Sequence, residues 1–167
     1  MKRERTYQWE DPMQGASEGG AMSGYDYLRA MTDGKLPLPP LLHTLDFKVG
    51  SLDKGIVSFE FEPQEFHYNP LGTVHGGVIT AILDSAMGCS VHSLLPAGTF
   101  YTTLELKVNF LKPITIKSGT LKATGKVINL GSRTALVEAQ LTGSNGTIYA
   151  HAVSTCMLIQ QSSNSKQ

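Results

Sequence analysis

Residues His75 to Leu95 constrain this chain more than any others, because they form its one long segment in which apolar side chains (among them Val78, Ile79, Ile82, Leu83, Met87 and Val91) do not simply alternate with polar ones. The segment opens on His75-Gly76-Gly77 and is closed by Pro96 and Gly98, so it reads as a helix of about five turns. Its apolar positions wrap almost all the way round instead of forming one stripe, and such a helix has to be enclosed. A curved sheet is the simplest enclosure.

The flanking sequence supplies one. Leu45/Phe47/Val49 alternate with their neighbours, and Val57/Phe59/Phe61 stand opposite Ile56/Ser58/Glu60, the pattern of half-buried strands. Thr102, Leu104, Leu106, Val108 and Phe110 share one face of a longer strand and Thr103, Glu105, Lys107 and Asn109 the other, until Pro113 ends it. Three more strands are expected at about Thr120–Asn129, Arg133–Thr142 and Thr147–Ile159. Their connections are turns at Asn129-Leu130-Gly131 and at Asn145-Gly146, the second a two-residue hairpin signal. Short connections imply antiparallel pairing, so the fold class is α+β, one helix between the second and third strands of an antiparallel sheet of five to six strands.

Residues 1–41 read as an N-terminal arm, Gly-rich and closed by Pro37-Leu38-Pro39-Pro40. Within it Ser23 can cap a short helix over Tyr25–Met31, with Asp26 three residues on, and the proline run is expected to be extended. The arm is a surface element or a lid. The main domain spans 42–159, and the polar stretch 160–167 is expected to be a flexible tail.

Fourteen Lys and Arg balance fourteen Asp and Glu, which removes the global field that holds nucleic acid or an anionic membrane. With 41% hydrophobic and 17% charged residues there is ample apolar mass for a core, and intrinsic disorder is excluded. Met1-Lys2-Arg3-Glu4-Arg5 does not lead into an apolar leader and only Cys89 and Cys156 carry thiols, so the expectation is a cytoplasmic protein. No apolar run reaches the ~18–20 residues of a membrane span. The five histidines show no paired helical spacing, so no metal site is expected, and neither a G-x-S-x-G elbow nor a phosphate loop is present. Cys89 is read as core packing rather than as a nucleophile.

Asp84 stands out as the one acidic residue between Glu65 and Glu105, in the middle of the apolar helix. A carboxylate removed from water costs several kcal/mol unless paired, and such groups concentrate at active sites. The bland alternative is that it reaches solvent or accepts a hydrogen bond from a neighbour. At the helix start, free N–H groups of Gly76 and Gly77 carry the positive end of the dipole and suit an oxyanion or a polarised carbonyl. Asn69, on the approaching His67-Tyr68-Asn69-Pro70 loop, can donate to the same carbonyl or simply make an Asx-turn. Eight residues separate Gly76 from Asp84, about 12 Å along a helix, so the two cannot touch one reacting carbon. If both are catalytic, the donor of one subunit works with the carboxylate of another across a two-fold axis.

The stretch Asn69-Pro70-Leu71-Gly72-Thr73-Val74-His75-Gly76-Gly77-Val78-Ile79-Thr80-Ala81-Ile82-Leu83-Asp84-Ser85-Ala86 resembles the signature of the hotdog-fold acyl-CoA thioesterases of the phenylacetate-pathway (PaaI-like) group. The likeness continues through Tyr101–Leu106 and Phe110-Leu111-Lys112-Pro113 and covers roughly residues 42–159. It implies a sheet wrapped round the central helix, a homodimer that often pairs into a homotetramer as a dimer of dimers, and hydrolysis of an acyl-CoA without a cofactor, CoA being part of the substrate. By position it implies that Gly76 N–H polarises the thioester carbonyl and that Asp84 of the partner subunit acts as nucleophile or general base. Asn69 and His75 would position that carbonyl or the attacking water, with Thr103 close to the water and Gly77 beside the substrate. The alternative on the same fold is a non-catalytic acyl-CoA binding or sensing module. Aryl and medium-chain acyl groups both fit.

The zero net charge is an average. Residues 101–133 hold Lys107, Lys112, Lys117, Lys122, Lys126 and Arg133 against Glu105 alone. Many of these are expected to form a solvated face, but the Gly131-Ser132-Arg133 turn resembles the family's nucleotide-contacting loop, so Ser132 and Arg133 are expected to bind the phosphates of CoA.

Overall fold

The computed structural model describes residues 2–161. Three short helices, α1 (Pro12–Gly19), α2 (Gly24–Thr32) and α3 (Pro40–Leu45), precede the strands β1 (Phe47–Asp53) and β2 (Ile56–Phe61). The long helix α4 (Gly76–His92) follows, then β3 (Thr99–Phe110), β4 (Leu121–Leu130), β5 (Thr134–Gly143) and β6 (Ile148–Gln160). The strands form one antiparallel sheet in the order β1-β2-β4-β5-β6-β3, with β3 on an outer edge, and α4 packs chiefly on β2 to β6.

Small residues make the enclosure possible. The inner face of the central strands carries Ala123 and Gly125 on β4, Ala135 and Ala139 on β5, and Ala150 and Ala152 on β6, all buried. The helix therefore lies close enough that a Cβ on Gly125 would overlap the Ala86 carbonyl. Larger side chains fill the ends: Ile82, Leu83, Met87 and Val91 of α4 pack with Phe61, Leu121, Val137 and Leu141. Two buried serines then tie the helix to the β1–β2 hairpin. Ser90 Oγ accepts from Val57 N–H at 2.9 Å, and Ser93 Oγ accepts from Gly55 N–H at 2.8 Å. Each also donates to a helix carbonyl, Ser90 to Ala86 and Ser93 to Ser90.

The helix is shorter than the apolar run. Ser93 takes the C-cap position, so Leu94 and Leu95 belong to the turn that follows. In β3 the ladder to β6 shifts between Thr103 and Glu105, leaving Leu104 as a bulge. The alternation read from the sequence put Thr103 on the face of Glu105 and Lys107. The bulge instead returns Thr103 to the inner face with Leu106 and Val108. The Asn145-Gly146 turn is also wider than a two-residue hairpin, with Ser144–Thr147 linking β5 to β6.

The arm is seated against the domain. Ser23 caps α2 as expected, accepting from Asp26 N–H. Gly24 donates to the Leu95 carbonyl at 2.9 Å, and a Cβ on Gly24 would overlap the His92 carbonyl, so α2 lies backbone to backbone on the end of α4. Leu28, Ala30, Met31 and Leu36 form a second small core there, touching Leu52 and Cys89. The proline run is not extended throughout: Pro40 starts α3, where a residue without an N–H costs nothing. At the other end β6 runs through Gln160, and Gln161 N–H bonds Gly98 at 2.8 Å. The rest of the expected tail, 162–167, lies outside the described residues. Among these, no helix is long and apolar enough to cross a membrane.

Candidate active site

The site begins at the head of α4. His75 is its N-cap, with Nδ1 accepting from Gly77 N–H at 2.8 Å. This leaves the Gly76 N–H without an acceptor among the described residues. It borders an open cleft of about 340 Å³, lined also by Asn69, Thr73, Phe110 and Lys112. A Cβ on Gly76 would meet the Phe110 ring at 3.2 Å, so glycine lets that ring lie over the helix start. Asn69 holds the loop together: its Oδ1 accepts from Leu71 and Thr73 N–H, and its Nδ2 donates to Thr73 Oγ1 at 2.9 Å. The Asx-turn is real, and one amide hydrogen of Asn69 remains for a ligand. A free backbone donor at a helix N-terminus stabilises charge developing on a carbonyl oxygen.

Two helical turns on, Asp84 lies on a half-buried stripe with Thr80, Ala81 and Ser85, the side of α4 the sheet does not seal. Thr103 Oγ1 donates to Asp84 Oδ1 at 3.0 Å, which fixes the carboxylate and leaves Oδ2 for chemistry. The β3 bulge makes this contact possible. Two thiols flank it. Burial, with the Asp84 charge adding to it, pushes the Cys89 thiol up to about 12, and burial likewise raises Cys156. Neither is a thiolate nucleophile. Burial also holds the Tyr101 phenol well above its usual range.

Within one chain the two groups stay apart. Asp84 and Thr103 do not line the Gly76 cleft, and the eight-residue interval along a straight helix keeps them about 12 Å apart.

Comparisons with known proteins establish the family and the fold. A family model described as thioesterase superfamily matches residues 71–150, from the loop before α4 into β6. A protein of Saccharolobus solfataricus provisionally named an esterase is 31% identical over 116 residues, 70% of this chain and 81% of that protein. The chain belongs to the thioesterase superfamily. Its fold is the hotdog thioesterase fold, and the PaaI-like resemblance read from Asn69–Ala86 holds. A solved phenylacetic acid degradation-related protein of Ralstonia eutropha superposes with a TM-score of 0.71 at 28% identity, covering 78% of this chain and 98% of that one. The 1,4-dihydroxy-2-naphthoyl-CoA hydrolase of Listeria monocytogenes is 26% identical over 102 residues, 61% of this chain and 81% of that enzyme.

Within this superfamily frame the remaining polar residues sort by position. His67 is structural: buried, it accepts from Gln64 N–H at Nδ1 and lies 2.9 Å from the Leu45 carbonyl through Nε2. Ser132 and Arg133 are exposed in the β4–β5 turn. The cationic segment does not form one patch. Lys122 pairs in register with Glu60, and Lys126 with Glu138, so these two lie on a mixed, solvated face. Lys112, by contrast, lines the Gly76 cleft, which its place in the chain did not single out. Tyr101 packs on Gly88, one helical turn past Asp84. Among the described residues no group of His, Cys, Asp and Glu could hold a metal ion.

Proposed function

We propose that this chain hydrolyses acyl-CoA thioesters, in a site that joins the Gly76 N–H of one subunit to the Asp84 carboxylate of its partner. The observation that carries the reading is Asp84 itself, half-exposed on an otherwise apolar helix and held by Thr103 with one oxygen free. The unoccupied N–H of Gly76 supports it, as does a relative whose name specifies a CoA thioester hydrolase. The carbonyl oxygen accepts from Gly76 N–H and from the spare amide hydrogen of Asn69. His75, tied to Gly77, holds the helix entrance in shape.

Two routes satisfy this arrangement. As general base, Asp84 takes a proton from water while the water oxygen bonds to the carbonyl carbon. The C–S bond then breaks, and the proton passes to the CoA thiolate. As nucleophile, the carboxylate displaces the thiolate to give a mixed anhydride, which water cleaves to the free acid and a regenerated Asp84. Lys112, Ser132 and Arg133 supply donors for the CoA phosphates.

The test is a panel of aryl- and acyl-CoA esters read by free thiol release, on the unaltered chain and on Asp84→Asn. The variant keeps an acceptor for Thr103, so it folds, and its kcat falls by ~10²–10⁴ or more. Tight CoA-ester binding without turnover would make the protein a binding module instead. The shared site has its own test. Gly76→Pro removes the N–H at a first helical position, where the backbone accepts proline and the Phe110 ring, 3.2 Å from a Cβ there, shifts to make room. Mixed with Asp84→Asn, it forms heterodimers with one intact site, and about a quarter of the activity returns. A mixture as inactive as its parts would refute the two-subunit site.

A further inference from the structure

The register of β3 decides whether Thr103 reaches Asp84. A strand without the bulge would keep Leu106 inward and carry Leu104 inward with it, turning Thr103 to the face of Glu105. In the structure Leu106 stands opposite Ser154 and Thr103 opposite Cys156, with Leu104 left between them and 55% exposed. Apolar burial does not settle this choice. The bulge places Tyr101 against Gly88 and releases Leu104 to solvent, an exchange of one large apolar side chain for another. What it adds is polar. Ser154, fully buried on β6, donates from its Oγ to the Glu105 carbonyl at 2.7 Å, at the residue that follows Leu104. A bulge disrupts the ladder locally, and a side-chain donor that reaches the neighbouring carbonyl replaces part of what is lost. Two residues along β6, the buried Cys156 thiol is hydrogen-bonded to both Ser154 and Thr103, bonds that lower its pKa by less than burial raises it. Ser154, Cys156, Thr103 and Asp84 therefore form one continuous row from β6 through β3 to α4.

We propose that Ser154 is a positioning residue for Asp84: its hydrogen bond to the Glu105 carbonyl holds the Leu104 bulge in place and so keeps the Thr103 hydroxyl on the carboxylate. This rests on the acyl-CoA reading above, in which Asp84 is the base or the nucleophile. A hydroxyl has one hydrogen to give. Ser154 gives its own to Glu105, and Thr103 gives its own to Asp84 Oδ1. Ser154 thus acts through the strand register and through Thr103. When the bulge relaxes, Thr103 turns away and the carboxylate is free to rotate out of line with the reacting carbon. Orientation is lost while binding is kept, so the loss falls on kcat and not on KM.

The experiment is a double-mutant cycle on the unaltered chain, Ser154→Ala, Thr103→Val and the two combined, with thermal melts to confirm folding. For each, kcat and KM are measured by free thiol release on the CoA ester that the unaltered chain turns over fastest. Crystal structures of the unaltered chain and of Ser154→Ala are determined alongside. Thr103→Val lowers kcat about tenfold or more, since it removes a hydrogen bond to a charged group. Ser154→Ala lowers kcat about three- to tenfold with KM within about twofold. The combined variant is no slower than Thr103→Val alone, because Ser154 has nothing left to position. In the crystal of Ser154→Ala, Thr103 Oγ1 lies beyond hydrogen-bond distance of Asp84. A merely structural Ser154 gives losses that multiply in the combined variant and a Thr103 that stays on Asp84. Either result would overturn the proposal, as would an unchanged kcat in Ser154→Ala. Should Ser154→Ala fail to fold, Ser154→Cys, which fills the space with a weak donor, is read in the same way. Absence of turnover on every ester would sink the hydrolase reading alone, since the Thr103 to Asp84 contact in the two crystal structures still decides the role of Ser154.

Discussion

Replacing Ser93 by Ala removes one oxygen with two jobs. Ser93 is 2% exposed, its Oγ accepts from Gly55 N–H at 2.8 Å, and it donates to the Ser90 carbonyl. The Ser90 carbonyl keeps its other lone pair. Gly55 is less fortunate. It is buried in the Lys54-Gly55 turn at φ 80°, and Ser93 is the acceptor for its N–H. Leaving a buried N–H unsatisfied costs about 1–3 kcal/mol. For a domain of this size each kcal/mol lowers Tm by about 2–4 °C, so a cost near 2 kcal/mol gives a drop of about 4–8 °C. Ser85→Ala is the matched control. Its Oγ also donates to a helix carbonyl, Ala81, but accepts from no backbone N–H, so its loss costs no more than ~0.5 kcal/mol. Calorimetry gives the stabilities, and hydrogen exchange reads the Gly55 amide directly: protected in the unaltered chain, fast in Ser93→Ala. If Ser93→Ala melts with Ser85→Ala and the Gly55 amide stays protected, the helix is not holding the hairpin through this bond.

Three further outcomes are expected. Gly125→Ala puts a methyl into the Ala86 carbonyl, which helical hydrogen bonding keeps from swinging away, so it costs about 1–3 kcal/mol or more; denaturant unfolding within ~0.5 kcal/mol of the unaltered chain would contradict the close approach. His67 and His92 are both held below the usual histidine range by burial, so the folded chain binds their protons less readily than the unfolded one. Their contribution to stability is complete above ~6.5 and is lost as pH falls below it towards their folded values. Tm therefore declines on acidification from that point, and His92→Phe, which keeps an aromatic ring there, flattens part of the decline. A Tm that is level or rising there is incompatible with neutral buried rings. Lastly, thiol reagents label Cys89 slowly in the native protein, because desolvation and the Asp84 charge push this half-buried thiol up to about 12 and leave little thiolate, and label it at the ordinary rate after unfolding. Rapid labelling of Cys89 with loss of activity would reopen it as a nucleophile.

The central helix and its carboxylate were legible because both depend on composition within one short window. An apolar segment with no polar stripe must be surrounded, and one acid in it demands a partner. The partner was less legible. Thr102 and Thr103 are the same residue type, and the alternation Thr102/Leu104/Leu106 continues without a break. Nothing local marks Leu104 as the bulge that turns Thr103 towards Asp84. The cations were legible in part for a related reason. The solvated face expected for many of them is what strand pairing gives Lys122 beside Glu60 and Lys126 beside Glu138, while the place of Lys112 at the Gly76 cleft could not be read from closeness in sequence. The proline run concealed α3 because proline suits both an extended segment and a first helical position.

By itself the sequence determined the strands, the long helix, their antiparallel pairing and the chemistry available, since periodicity, turn residues and side-chain type are all local properties; α1 and α3 of the arm were not among them. Only the tertiary structure decided which of those residues meet: Thr103 with Asp84, Tyr101 with Gly88, Phe110 with Gly76, and the arm with the end of α4. Each of these contacts joins positions well apart in the chain and depends on register and close approach. Those are outcomes of packing the whole core at once, and no window of the sequence contains them.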